Sequence, residues 1–146
     1  MSDPIEVAAA RFAGKLNCAQ AVFSAFAEQF GLDETTALRI ASPLGGGVGR
    51  SGNACGALTG GLMALGLARG SSTPERKEAT YLLVREFMRR FREKNGAILC
   101  NDLVGMDIST PEGHDAARDS GRFQQVCPLA VRSAAEIVTA MLAENE

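Results

Sequence analysis

Four residues of this chain have side chains suited to moving electrons or binding a soft metal: Cys18, Cys55, Cys100 and Cys127. The thiolate, not the thiol, attacks disulfides, ligates metals and meets oxidants first. No two of the four form a CxxC pair, and the closest, Cys100 and Cys127, are 27 positions apart. Zinc sites usually draw ligands in close pairs, so the spacing is no zinc or ferredoxin signature, although four is the number a tetrahedral sulfur site takes. In a reducing compartment such cysteines are free, metal-bound or redox-active rather than permanently bridged.

The elements around each sulfur decide how easily it ionises. Asn17 is a good N-cap, which puts Cys18 at the first position of a helix over residues 18–30, with Ala19, Val22, Phe23 and Phe26 on its apolar face. Cys55 falls in the first turn of a helix over 54–68 that Gly52 or Asn53 caps. Cys127 precedes Pro128, which reads as the opening residue of a last helix to about Ala143, so Cys127 is expected to be its N-cap. Three of the four sulfurs are thus expected at helix starts, where free amides and a positive dipole favour the thiolate and thiol pKa values of roughly 3.5–7.5 occur. Cys55, in the best-developed start, is the expected attacking thiolate. The plain alternative is inert packing of small apolar residues.

Cys55 also sits within a glycine-rich stretch, residues 45–61, GGGVGRSGNACGALTGG. It holds a literal GxGxxG, Gly47 to Gly52, but that motif needs a preceding strand, and residues 36–42 read as helix before Pro43. No Gly-Lys-Ser/Thr follows, so neither NAD nor a P-loop nucleotide is expected. Gly52, Gly56 and Gly60 fall four apart and share one helix face, open to a second backbone or to a cofactor. Gly47, Gly49, Gly52, Gly56 and Gly60 are therefore the candidate cofactor-facing positions. Arg50 lies close enough in sequence to lower a thiolate pKa at Cys55 or to pair with an anionic substrate.

The rest of the chain reads as helices between glycine and proline breaks. They span 4–13, a segment capped by Asp33 up to Ser42, a long helix opened by Thr73-Pro74 and closed by Gly96, and a short turn over 100–104 stopped by Gly105. Thr80, Val84, Phe87, Met88 and Phe91 stripe the long helix. Residues 106–122 read as loop, with one helical turn at 115–119. His114, the only histidine, is expected there as a solvated loop residue, and Asp102 and Asp107 as turn caps. No segment alternates as a strand, and there is no repeat or linker. The expected fold is all-α, a single-domain helical bundle over 1–146 with the glycine-rich loop before a central helix.

Composition narrows the class further. Seven Phe, one Tyr and no Trp leave the core to Ala, Leu, Val and small residues, which favours close helix packing. A net charge of −2 gives no reason to expect nucleic acid. Arg85, Arg89, Arg90, Arg92 and Lys94, interrupted by Glu86 and Glu93, read as a solvated face. The first residues, MSDPIEVAAARFAGK, carry no basic and apolar signal pattern, and the apolar run 57–68 is too short to span a bilayer, so the expected location is cytoplasmic.

The order Cys18, glycine loop, Cys55-Gly56-Ala57-Leu58-Thr59-Gly60, Cys100, Cys127 resembles the C_GCAxxG_C_C family of redox-active proteins. Asn17-Cys18-Ala19-Gln20, Cys100-Asn101-Asp102-Leu103-Val104-Gly105 and Cys127-Pro128-Leu129 extend the likeness from about residue 15 to the end. The family name spells Gly-Cys-Ala where this chain has Cys55-Gly56-Ala57. The resemblance implies a small helical bacterial or archaeal protein whose four cysteines are the working residues. It also implies a functional link to a transporter and, through a similar domain in split-Soret cytochromes, an iron–sulfur connection. No CxxCH is present, so covalent haem is not expected. Three readings stand. One is electron transfer through an iron–sulfur centre, or another metal, held by Cys18, Cys55, Cys100 and Cys127. The second is thiol–disulfide or peroxide chemistry at Cys55, with an unidentified redox partner. The third is a non-catalytic helical protein with a structural zinc site or packing cysteines. The small-residue face over 52–66 also suits a homo-oligomer contact.

Overall fold

The computed structural model describes residues 3–144 and is all-α, a single domain of eight right-handed helices. They are α1 (Pro4–Ala13), α2 (Cys18–Ala27), α3 (Glu34–Ala41), α4 (Gly56–Arg69), α5 (Lys77–Asn95), α6 (Cys100–Val104), α7 (Pro111–Asp119) and α8 (Arg122–Ala143). Short 3₁₀ turns follow α2 and α3 and precede α5.

Local chemistry explains most of the starts. Asp3 accepts from the Ile5 amide, and Asp33 accepts from the Thr36 amide. Asn17 and Gln20 form a reciprocal capping box at α2: Asn17 Oδ1 accepts from the Gln20 amide at 2.8 Å, and Gln20 Oε1 accepts from the Asn17 amide at 3.1 Å. The free ends of both side chains reach on. Asn17 Nδ2 donates to the Ser42 carbonyl and Gln20 Nε2 to the Leu38 carbonyl, which ties the start of α2 to the end of α3.

Helix α2 ends at Ala27 in a 3₁₀ turn and α5 starts at Lys77 after another, both inside the expected spans; three further differences bear on the site. Helix α4 starts at Gly56 rather than Ala54, so Gly52 lies outside it and shares no helix face with Gly56 and Gly60. Residues 111–119 are a full helix, opened by Thr110 Oγ1 accepting from the Gly113 amide with Pro111 at the first position. Helix α8 starts six residues before Pro128, after Gly121 in the left-handed conformation (φ 79°). Pro128 withholds a donor from the Gln124 carbonyl, and Gln124 and Pro128 are both exposed, so water meets that cost. Cys127 is therefore in the body of a helix, not at its N-cap.

The core is built from alanines around Val22, Phe26, Phe87, Phe91, Val131 and Val138. Small residues set the spacing. A Cβ on Gly60 would lie 2.8 Å from the Ala19 carbonyl oxygen, and one on Gly56 would lie 3.1 Å from the Ala19 amide nitrogen, so α4 crosses α2 with backbones almost touching. Gly61 makes room for the Phe87 ring in the same way. Helix α8 has the length and mean hydropathy, 1.5, of a membrane-crossing helix, but it packs as a core helix against α1, α4 and α5.

Two substitutions on α4 separate packing from propensity. Gly60→Ala should destabilise by about 1–3 kcal/mol, because the new methyl meets backbone that can yield only by spreading the helices. Gly66→Ala meets nothing within 4 Å and should stabilise by about 0.5–1 kcal/mol through helix propensity. Urea unfolding of both variants measures the difference; equal effects would mean that the α2–α4 crossing is not close-packed.

Candidate functional site: a four-thiol cavity

All four sulfurs face one cavity of about 300 Å³. Each arrives by a different device. The capping box fixes Cys18 at the first position of α2. Cys55 is the N-cap residue of α4, and Cys100 opens α6. Cys127 comes from the second turn of α8. Three of the four sulfurs do sit at helix starts, but the third is Cys100 and not Cys127.

A short antiparallel pairing of residues 52–55 with 98–101 sets Cys55 beside Cys100. The Cys55 amide donates to the Ile98 carbonyl (2.9 Å), the Cys100 amide to the Asn53 carbonyl (2.6 Å) and the Asn101 amide to the Gly52 carbonyl (3.1 Å). The glycine loop runs beneath this pairing with positive φ at five successive residues, 46–50. Glycine adopts that conformation freely. Gly47 needs it for a second reason: a Cβ there would stand 2.7 Å from the Cys100 Cβ and from the Asn53 backbone. Val48 (φ 68°) and Arg50 (φ 66°) adopt it at a steric cost.

Asn101, which the sequence reading quoted without a role, locks these parts together. Its Oδ1 accepts from the Ile108 amide (2.9 Å) and its Nδ2 donates to Asp107 Oδ1 (3.1 Å). Its side chain also fills the space over Gly52. Asp107 accepts from the Ser109 hydroxyl and amide and caps the turn before α7, which holds its carboxyl below the usual range. Arg122 reaches from α8 to the Val104 and Leu103 carbonyls and closes the C-terminal end of α6.

Of the candidate cofactor-facing glycines, Gly47 and Gly56 line the cavity. Gly60 is used in the α2–α4 crossing, Gly52 is covered by Asn101, and Gly49 faces two shallower clefts beside Arg50. His114 corrects the sequence reading. It sits on α7, its side chain is 20% exposed, its ring lies 5.4 Å from the Phe123 ring, and it lines the cavity. Arg50, an exposed residue, lines it too. Thr110-Pro111 is the same cap-and-proline signal as Thr73-Pro74, and it could have placed His114 on a helix from sequence.

The sulfurs are not electrically alike. Burial pushes the Cys55 thiol up to about 11, against a smaller downward pull from the Leu58 and Ala57 amides that face it. Burial, reinforced by the neighbouring Cys55 and Cys127 charges, pushes Cys100 up to about 12. A helix start favours an anion by typically 0.3–1 kcal/mol, whereas a rise of two or three pH units is roughly 3–4 kcal/mol. Desolvation therefore wins at both sites, contrary to the expectation of a ready thiolate at Cys55. Cys18 and Cys127 behave as one unit. Each thiol shifts the other: the neighbouring Cys18 thiol favours the thiolate at Cys127, so Cys127 falls below the ordinary thiol value and Cys18 rises well above it. The pair holds one proton tightly and gives up the other easily, and the shared charge lies at the start of α2.

Among the described residues, no group of three or more His, Cys, Asp or Glu side chains is placed to hold a metal ion. All four are free cysteines.

Iodoacetamide labelling followed by peptide mapping should rank the sulfurs. At pH 7 Cys127 should label first, and Cys55 and Cys100 should resist until strongly alkaline pH. Cys18→Ala should slow Cys127 labelling at pH 7 and move its titration upward, because the neighbouring thiol that favours the thiolate is gone; equal labelling of all four native thiols would refute the ranking.

No curated protein and no solved structure matches this chain. A family model described as "Putative redox-active protein (C_GCAxxG_C_C)" matches residues 16–141, far more than half of the chain and every one of the four cysteines. The chain belongs to the C_GCAxxG_C_C family.

Proposed function

We propose that the protein is a dithiol–disulfide redox protein whose working pair is Cys18 and Cys127. The observation that carries this is that both cysteines line one cavity, where the Cys18 thiol draws Cys127 below the ordinary thiol value. Exchange requires an ionisable attacking thiol and a second sulfur to resolve the intermediate; the lowered Cys127 thiol is the first and Cys18 the second. The Cys127 thiolate attacks one sulfur of an acceptor disulfide, forming a mixed disulfide and releasing one thiolate. Cys18, losing its proton to that leaving group, then attacks the Cys127 sulfur and expels the second thiolate, which takes from water the proton that Cys127 released on ionising. In sum, two cysteine thiols become one disulfide, the acceptor disulfide becomes two thiols, and two electrons pass. Cys55 and Cys100, held protonated, form the wall behind the pair rather than the attacking group. This moves the nucleophile from Cys55, where the sequence reading had it, to Cys127.

A second reading rests on the same convergence: Cys18, Cys55, Cys100 and Cys127 around one cavity would hold an iron–sulfur centre that carries single electrons. The two readings differ in how many sulfurs they need. Oxidation in graded dithiothreitol buffers, with mapping under non-reducing conditions, should yield one Cys18–Cys127 bond. Cys127→Ser should abolish it, and Cys100→Ser should leave it intact. If anaerobically purified protein is instead brown, contains iron and acid-labile sulfide, and loses colour with Cys100→Ser, the dithiol reading is wrong and the cluster reading replaces it.

A further inference from the structure

The cavity walls have a charge character that the thiols alone do not explain. Apart from the cysteines, the ionisable residues lining it are Arg50 and His114; no Asp or Glu among the described residues does so. The deeper wall is apolar, with Leu103, Ile108 and Phe123 among its residues. The site is therefore a small apolar chamber with a cationic edge.

Arg50 is built into that edge. It is held at φ 66°, a left-handed conformation that is strained for a residue with a side chain. Its stem lies against Gly46, where a Cβ would meet the Arg50 Cγ at 3.0 Å, so the glycine makes room for the arginine. Its guanidinium has no hydrogen bond or ion pair among the described residues. It borders the thiol cavity and both shallow clefts that flank it, one towards Asn17 and Ser42 and one towards Thr110 and Arg118. His114 borders the cavity and the second cleft. Asp115, whose Oδ1 stands 4.0 Å from His114 Nδ1, is engaged by Arg118 at 3.2 Å. Arg50 is thus a free cation at that edge, strained in its backbone and supported by a glycine.

We propose that Arg50, with His114 beside it, is an anion subsite that selects small carboxylate-bearing disulfides or thiols for the cavity. This rests on the dithiol reading for its chemistry and on the cavity lining for its selectivity. A carboxylate pairs with the guanidinium in fork geometry, the aliphatic arms lie along the apolar wall, and the sulfurs point inward to the Cys127 thiolate. Exchange then follows the two steps already given, with two molecules of a carboxylate-bearing thiol leaving. A volume of about 300 Å³ is at the small end for ligand pockets, which suits a low-molecular-weight disulfide and not a folded partner.

The test uses three disulfides of similar size that differ in charge: 3,3′-dithiodipropionate (dianion), bis(2-hydroxyethyl) disulfide (neutral) and cystamine (dication). With the fully reduced protein, the second-order rate of Cys18–Cys127 bond formation should be about tenfold or more higher for the dianion than for the neutral compound, and lowest for the dication. Arg50→Ala should bring the dianion-to-neutral ratio close to one, and Arg50→Lys should restore part of it. Arg50→Gly removes the cation while relaxing the backbone, so it should give the same collapse of the ratio in a protein no less stable than the native one. A parallel titration with suberate, the dianion's carbon analogue, should shift the His114 imidazole and Arg50 guanidinium resonances in the native protein but not the His114 resonance in Arg50→Gly. Equal rates for the dianionic and neutral disulfides, with no suberate shift, would overturn the anion subsite and leave the dithiol reading intact. Suberate binding at Arg50 with no oxidation by any of the three disulfides would keep the subsite and remove the dithiol reading.

Discussion

The site depends first on how closely α2 and α4 approach. Gly56 and Gly60 present bare backbone to Ala19, and a methyl group on either would press against it. Cys18 is the chain neighbour of Ala19 and Cys55 of Gly56, so the contact that joins the helices also brings two sulfurs to one place. A Cβ on Gly56 would lie 3.2 Å from the Cys18 Cβ. The glycines that could have been read as a cofactor cradle thus act one step earlier, by setting the distance between the walls of the cavity. The capping box then fixes the rotation of α2, since Asn17 and Gln20 are tied both to each other and to α3.

The second pair of sulfurs is placed by very different means. Cys100 depends on the left-handed run over 46–50, which clears the space beneath it, and on Asn101, which fastens α6 to the loop and to the turn before α7. Cys127 depends on α8 continuing through a proline. Because α8 packs on α1, α4 and α5, its register is set by the main core, and the sulfur is carried to the cavity by a rigid element. The result is an asymmetric arrangement in which two buried thiols form a wall and two others share a proton.

Much of the fold was legible in the sequence because helix caps act locally. Asn17, Asp33, Gly31, Gly96 and Gly105 each mark a boundary that the structure keeps. The misreadings share one cause, which is that tertiary contacts outweighed a local signal. Pro128 looks like a helix start, yet its lost hydrogen bond falls on an exposed turn while the opposite face of α8 is deeply buried, so the helix runs through it. The stretch over 106–122 is rich in turn formers, yet Ala117 and Ile108 bury against Val104 and stabilise α7. His114 was carried with that segment and so was placed in solvent. The ranking of the thiols was not legible at all, because helix-start position is a sequence property and burial is not. Cys55 and Cys100 both occupy helix starts, and at both desolvation exceeds what the dipole and free amides supply.

That balance bears on why four cysteines would be kept when exchange needs two. A thiolate at Cys127 lies in a poorly solvated chamber, and its stability rests on whatever polar hydrogens face it. Cys18 supplies one. Replacing Cys55 and Cys100 by larger apolar side chains would fill the chamber, and replacing them by carboxylates would add charge that opposes the thiolate. Neutral thiols do neither: they are small, weakly polar and polarisable. On the dithiol reading, a chamber edged by Asn17, Arg50 and His114 would accept one negative charge on Cys18 and Cys127 more readily than two. This is the electrostatic condition for a dithiol that reacts through one sulfur at a time.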